Sequence, residues 1–143
     1  MSGDWKRRLT AVWDRLVPWL LFGLGLWLVV IRPLGPGLAR IPGDLGDIRF
    51  NTYVLEHFFR WLSGLDKSYW TMPIFYPFPS TTAFSDNLLG SAPFFALFRW
   101  AGLDRESAYQ GWYILGFCLN YLAAFFVFSR LKLSPLAAAA GAF

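Results

Sequence analysis

Two stretches of the chain are apolar for long enough to cross a bilayer, and the segment between them alternates in a way that membrane spans do not. The first stretch, LVPWLLFGLGLWLVVI, covers residues 16–31, and Pro33, Gly35, Pro36 and Gly37 follow it. Prolines remove amide donors and glycines free the backbone, so a helix ends there. The second, within SAYQGWYILGFCLNYLAAFFVFSRL, covers residues 107–129. At about 1.5 Å per residue it spans a hydrocarbon core of about 30 Å. Between them the period changes to that of an amphipathic helix over about 47–64, with Asp47 as a residue suited to the N-cap and Gly64 suited to the C-cap. Ile48, Phe50, Val54, Leu55, Phe58, Phe59, Trp61 and Leu62 share a wide apolar arc, Arg49, Thr52, Tyr53, Glu56, Arg60 and Ser63 cover the other side, and His57 falls at the boundary. Asp47 and Asn51, one turn apart, interrupt the apolar arc.

NLLGSAPFFALFRWAGL predicts a second interfacial or re-entrant helix at about 87–101. It is short for a span and holds Pro93 and Arg99, and counting it as a crossing would strand Arg130 and Lys132 outside. SPLAAAAGAF, residues 134–143, reads as the start of a third transmembrane helix after a cytoplasmic turn at 130–133. A carboxylate ending in hydrocarbon is costly, so the sequence reads as the N-terminal portion of a larger polytopic protein. A complete small membrane protein with an interfacial C-terminal segment is the lesser alternative.

Composition agrees with the pattern. The chain is 56% hydrophobic and 15% charged, against about 25% charged in soluble domains, which predicts an all-α membrane protein with transmembrane helices and amphipathic juxtamembrane helices in a large first outer loop. The basic residues are scattered, and the net charge of +4 forms no stripe with stacking aromatics, which argues against nucleic acid as a partner. Cys118 stands alone in an apolar run, so it founds neither a disulfide framework nor a metal site and reads as a packing residue. Lys6, Arg7, Arg8 and Arg15 precede the first apolar stretch, which makes 1–15 a cytoplasmic N-terminus. A cleaved signal peptide is the competing reading, but no small-x-small site follows, and Trp19 and Trp27 are bulky for one. Residues 32–106 then form an extracytoplasmic loop, and Arg130 and Lys132 return to the cytoplasmic side.

Most of the acids lie in that loop: Asp44, Asp47, Glu56, Asp66 and Asp86, with the only histidine, His57. A carboxylate on the protein or membrane side of an interfacial helix is costly unless paired, so Asp47 is either an N-cap or a functional group. Asp44, in a Gly-flanked turn, is placed to converge with it on one cation, one basic side chain or one hydroxyl proton. Glu56 and Arg60 have the i,i+4 spacing of a solvated pair. Arg40 and Arg49 are either phosphate ligands or surface charge. Asp86, in Ser85-Asp86-Asn87 before an apolar run, is either a helix cap or an acid. The loop YWTMPIFYPFPSTTAFSDNLLG, rigidified by prolines, suits an interfacial aromatic belt or the wall of a groove for a lipid or sugar.

GDLGDIRFNTYVLEH, FYPFPSTTAFSDNLLG and the closing SPLAAAAGAF resemble a group of bacterial multi-span proteins grouped with the GT-C class of glycosyltransferases, and the likeness runs from Gly43 onward. The resemblance implies a multi-pass bacterial inner-membrane enzyme that takes a sugar from a polyprenyl-phosphate donor on the extracytoplasmic face, completed by the remainder of the same polypeptide. It implies Asp47 or Asp44 as general base or ligand of a divalent cation, with Glu56 a lesser candidate. Asn51, Arg49, Arg40, Glu56, His57 and Asp86 are then the candidates for binding substrate. The segment lacks the adjacent Asp-Asp or Asp-Glu pair of some class members. The alternative is a non-catalytic polytopic membrane protein, a transport, lipid-handling or scaffold component, whose acids cap helices and meet arginines.

Overall fold

A computed structural model describes residues 4–143, without the side chains of Asp4 and of residues 6–10. Lys6, Arg7 and Arg8, on which the orientation of the first helix rests, therefore lie outside the described side chains. The regular secondary structure of the described residues is all helical, with no strand. Helix α1 runs Asp4–Gly25 and continues as a π-helical turn at Leu26–Ile31, α2 is Leu45–Leu62, α3 Ala92–Trp100, α4 Arg105–Arg130 and α5 Pro135–Gly141, with short 3₁₀ turns at Pro36–Leu38 and Thr81–Phe84. Two helical stretches are long and apolar enough to cross a membrane, Ala11–Ile31 and Arg105–Arg130. Helix begins well before Leu16, and it continues through Pro18.

The chain divides into two compact units. One comprises residues up to Gly37 together with Ile114–Phe143. In it α1 packs on α5, and the Tyr121 hydroxyl donates to the Pro18 carbonyl at 2.8 Å. The Tyr121 ring is 2% exposed and lies against Phe22, Phe125 and Phe143. A phenol is tolerated there because its polar end has a partner. Ser134 caps α5 by accepting from the Ala137 amide, and Pro135 takes the first helical position, where no amide donor is needed.

The other unit is Leu38–Tyr113, in which α2 packs on α3. Its core gathers Ile48, Leu55, Phe58, Tyr69, Ala92, Phe95, Ala96, Ala108 and Tyr109. The alanines on α3 and α4 leave room for the larger side chains of α2. Helix α2 ends as its sequence predicts. Gly64 adopts φ +74°, its amide donates to the Trp61 carbonyl, and the Leu65 amide donates to the Arg60 carbonyl at 2.8 Å. That is the Schellman closure, and glycine is the residue that enters the left-handed region without a Cβ penalty.

The start of α2 corrects the expectation. The N-cap is Asp44, not Asp47: its Oδ1 accepts from the amides of Gly46 at 2.7 Å and Asp47 at 3.0 Å. Asp47 is in the first turn, where a negative charge is favoured by the helix dipole. The second interfacial helix is shorter than predicted, since α3 begins at Ala92 with Ser91 at its cap position. Asp86 therefore caps nothing. Residues before α3 turn instead through Asn87, whose side chain accepts from the Leu89 amide at 3.0 Å.

The proline-rich loop is held from inside. The Tyr69 ring packs between His57, Phe58 and Trp61, and its hydroxyl donates to the Asn87 carbonyl. Thr82 is fully buried; its amide donates to the Trp70 carbonyl and its hydroxyl to the Tyr69 carbonyl at 2.9 Å. Buried Gln110 on α4 uses its side-chain amide nitrogen to donate to the carbonyls of Leu38 at 2.6 Å and Arg40 at 2.8 Å.

Candidate functional site

The candidate groups are sorted by where they sit around α2. At about 100° per residue, Asp47 and Asn51 share one flank, whereas Leu45, Arg49, Thr52 and Tyr53 fall on the other. The Asp47 flank lies near Tyr109, in the second turn of α4. Asn51 and the Asp47 charge are both close enough to act on the Tyr109 phenol. Asp47 itself is exposed, and among the described residues its carboxylate has no hydrogen bond or ion pair.

The opposite flank opens on a cavity of about 750 Å³ lined by Arg40, Ile41, Gly43, Leu45, Ile48, Arg49, Thr52, Tyr53, Arg105 and Glu106. The side chains of Arg40 and Arg49 have no acidic partner among the described residues, while Arg105 donates through Nε and Nη2 to Glu106 Oε1 at 3.1 and 2.8 Å. Thr52, expected on the wet side, is 7% exposed, and its Oγ1 is buried with no hydrogen-bond partner among the described residues. Thr52 lines the cavity as a residue, but that oxygen is sealed from it.

A second cavity, of about 350 Å³, is lined by Tyr53, Glu56, His57, Arg60, Asp66, Pro73 and Arg105. Here the expected Glu56–Arg60 pair is absent. Arg60 instead grips Asp66 through Nε and Nη2, both at 3.1 Å. Glu56 is taken by Arg99 of α3, Nε to Oε2 at 2.9 Å and Nη2 to Oε1 at 3.1 Å. The reason is packing: α3 brings a guanidinium against the partly buried Glu56, and its plane also lies over the Phe59 ring at 5.0 Å. His57 is not a boundary residue. It is 4% exposed, stacks on Tyr69, and faces acceptors from both nitrogens, Asp66 Oδ2 from Nδ1 at 3.1 Å and the Tyr69 carbonyl from Nε2 at 2.9 Å.

The electrostatics follow these contacts. The Arg60 hydrogen bond holds the Asp66 carboxyl below the usual carboxylate range against the opposing cost of burial, with His57 adding to it. Burial, then the Asp66 charge, pushes the Tyr53 phenol up. Asp104, which sequence reasoning does not single out, accepts from the Ser107 amide at 2.7 Å and its hydroxyl at 3.1 Å at the start of α4, and those bonds hold its carboxyl low.

The structure thus brings Arg40 and Arg49 to one cavity, and Glu56 and His57 to the other, while Asp44, Asp47, Asn51 and Asp86 line neither. Asp44 and Asp47 do not converge as a ligand pair, because the Asp44 carboxylate is turned onto its own helix end. Among the described residues no three His, Cys, Asp or Glu side chains gather as metal ligands. Of the seven acids in the unit, five are committed to caps or arginines; among the described residues the carboxylates of Asp47 and Asp86 remain free. Arg99, Arg105 and Thr52 are the site residues that spacing does not reveal. Arg99 carries one signal, a guanidinium inside an apolar run. No family model matches the chain, and neither a curated protein nor a solved structure is similar to it.

Proposed function

We propose that the chain is the N-terminal, membrane-embedded part of a bacterial inner-membrane glycosyltransferase of the GT-C kind, which takes a sugar from a polyprenyl-phosphate donor on the extracytoplasmic face. The resemblance of GDLGDIRFNTYVLEH to that group motivates the reading. The observation that supports it best is the state of Asp47, an exposed carboxylate with no hydrogen bond or ion pair among the described residues, in the first turn of a helix whose cap is supplied by another residue. A general base must be free to accept a proton, and this acid is. In this reading Asp47 takes the proton of the acceptor hydroxyl as its oxygen bonds to the anomeric carbon and the bond to the lipid phosphate breaks. Asn51 and Tyr109 border it as positioning residues. Asp44 acts only through the fold, since it holds the helix start on which Asp47 rides. The two helices able to span a bilayer, α1 with its π turn and α4, suit an enzyme whose donor is a membrane lipid.

The competing reading, a non-catalytic membrane component, is favoured by one observation: most acids of the unit already cap helices or pair with arginines. The two separate in a membrane assay of sugar transfer from a polyprenyl-phosphate donor, with the substitutions placed in the native gene. Asp47→Asn abolishes transfer and leaves insertion and abundance intact, whereas Asp44→Asn, which still caps, keeps it. Undiminished transfer with Asp47→Asn overturns the assignment.

A further inference from the structure

The 750 Å³ cavity beside α2 has a composition of its own. Three guanidinium groups, Arg40, Arg49 and Arg105, meet one carboxylate, Glu106, which leaves an excess of two positive charges among the lining side chains. Two of the three arginines have no acidic partner among the described residues, and the third keeps its Nη1 free of Glu106. Ile41, Leu45 and Ile48 make the remaining wall apolar.

We infer that this cavity binds a phosphomonoester group, with Arg40, Arg49 and Arg105 clamping its oxygens. A doubly charged phosphate matches the excess of two charges. Guanidinium groups suit it because their planar array of N–H donors fits phosphate oxygens in pairs. The apolar wall adds a place for the carbon chain of a phosphorylated lipid, while inorganic phosphate would occupy the charged end alone. This site is separate from Asp47, which lies on the other flank of α2, so it does not depend on the transferase reading.

Binding is measured on the full chain in an uncharged detergent by ³¹P NMR and by the shift in thermal midpoint, with three probes: inorganic phosphate, a short-chain phosphatidic acid and the matching phosphatidylcholine. Saturable binding of phosphatidic acid or of phosphate is expected, weakening as salt is raised. Arg49→Gln and Arg40→Gln each weaken it by about tenfold, the loss of a charged hydrogen bond. Both side chains are exposed and without an acidic partner among the described residues, so the variants keep the fold. Lys67→Gln, which removes a charge outside the cavity, leaves binding unchanged. Phosphatidic acid binding far more tightly than phosphate assigns the site to a lipid; equal affinities assign it to free phosphate, and either outcome supports the clamp. Absence of saturable binding by both, phosphatidylcholine binding as well as phosphatidic acid, or indifference to Arg40→Gln and Arg49→Gln overturns it.

Discussion

Replacing Arg99 by Met tests how the α2–α3 contact is held. Methionine keeps the aliphatic stem of the side chain but removes both guanidinium bonds to Glu56, the donation to the Leu103 carbonyl and the contact with Phe59. The side chains of Arg99 and Glu56 are 22% and 20% exposed. That places them between a surface pair, worth about 0–1 kcal/mol, and a buried one, whose breakage costs about 3–5 kcal/mol. Leaving Glu56 without its partner in this setting costs about 2–3 kcal/mol, with the lost ring contact included at about 0.5 kcal/mol. For a unit of this size that lowers the thermal midpoint by about 10–20 °C. Unfolding is followed by far-UV circular dichroism in detergent, and the double-mutant cycle with Glu56→Gln isolates the pair. A coupling energy of about 1–2 kcal/mol is expected, because a neutral amide at position 56 no longer needs a cation. Coupling below about 0.5 kcal/mol refutes the reasoning, and so does a larger coupling of Glu56 to Arg60 than to Arg99.

Two further predictions concern the ends of α2. The Asp66 carboxyl is held low in the folded protein by Arg60 and then His57. Its contribution is therefore fully present above the unfolded carboxyl value of about 3.9 and is lost as pH falls through the lower folded value. Melting temperatures between neutral and strongly acidic pH should lose part of that acid-side decline in Asp66→Asn, and an identical profile contradicts the assignment. At the other end, Asp44→Ala removes the acceptor for two amides and costs about 1 kcal/mol, whereas Asp44→Asn costs a few tenths. Equal losses in a denaturant titration would show that the cap contributes nothing.

Sequence pattern and structure agree where the physics is local. The Gly64 terminus is legible because a glycine after an apolar period has few other uses, and the apolar lengths of α1 and α4 announce themselves. The Asp44 cap is hidden because the apolar period becomes visible only at Ile48, and Leu45 and Gly46 carry no helical signature of their own. Spacing along one helix offers Arg60 as the partner of Glu56; the actual one is 43 residues away and arrives only when α3 packs. Thr52 and His57 are polar in type and buried in fact, since their neighbours across the core decide which way that face of α2 turns. The basic cavity is half visible. Arg40 and Arg49 lie close in sequence, but Arg105 joins them through the tertiary fold.

Gln110 gives that cavity a kinetic character. Its amide nitrogen donates to the carbonyls of Leu38 and Arg40, so the loop bearing one arginine is tied to α4, the helix bearing another. The conformational entropy of ordering that loop is lost when the protein folds rather than when an anion arrives. Association should then be a single fast step whose rate follows ionic strength, with no slow isomerisation behind it.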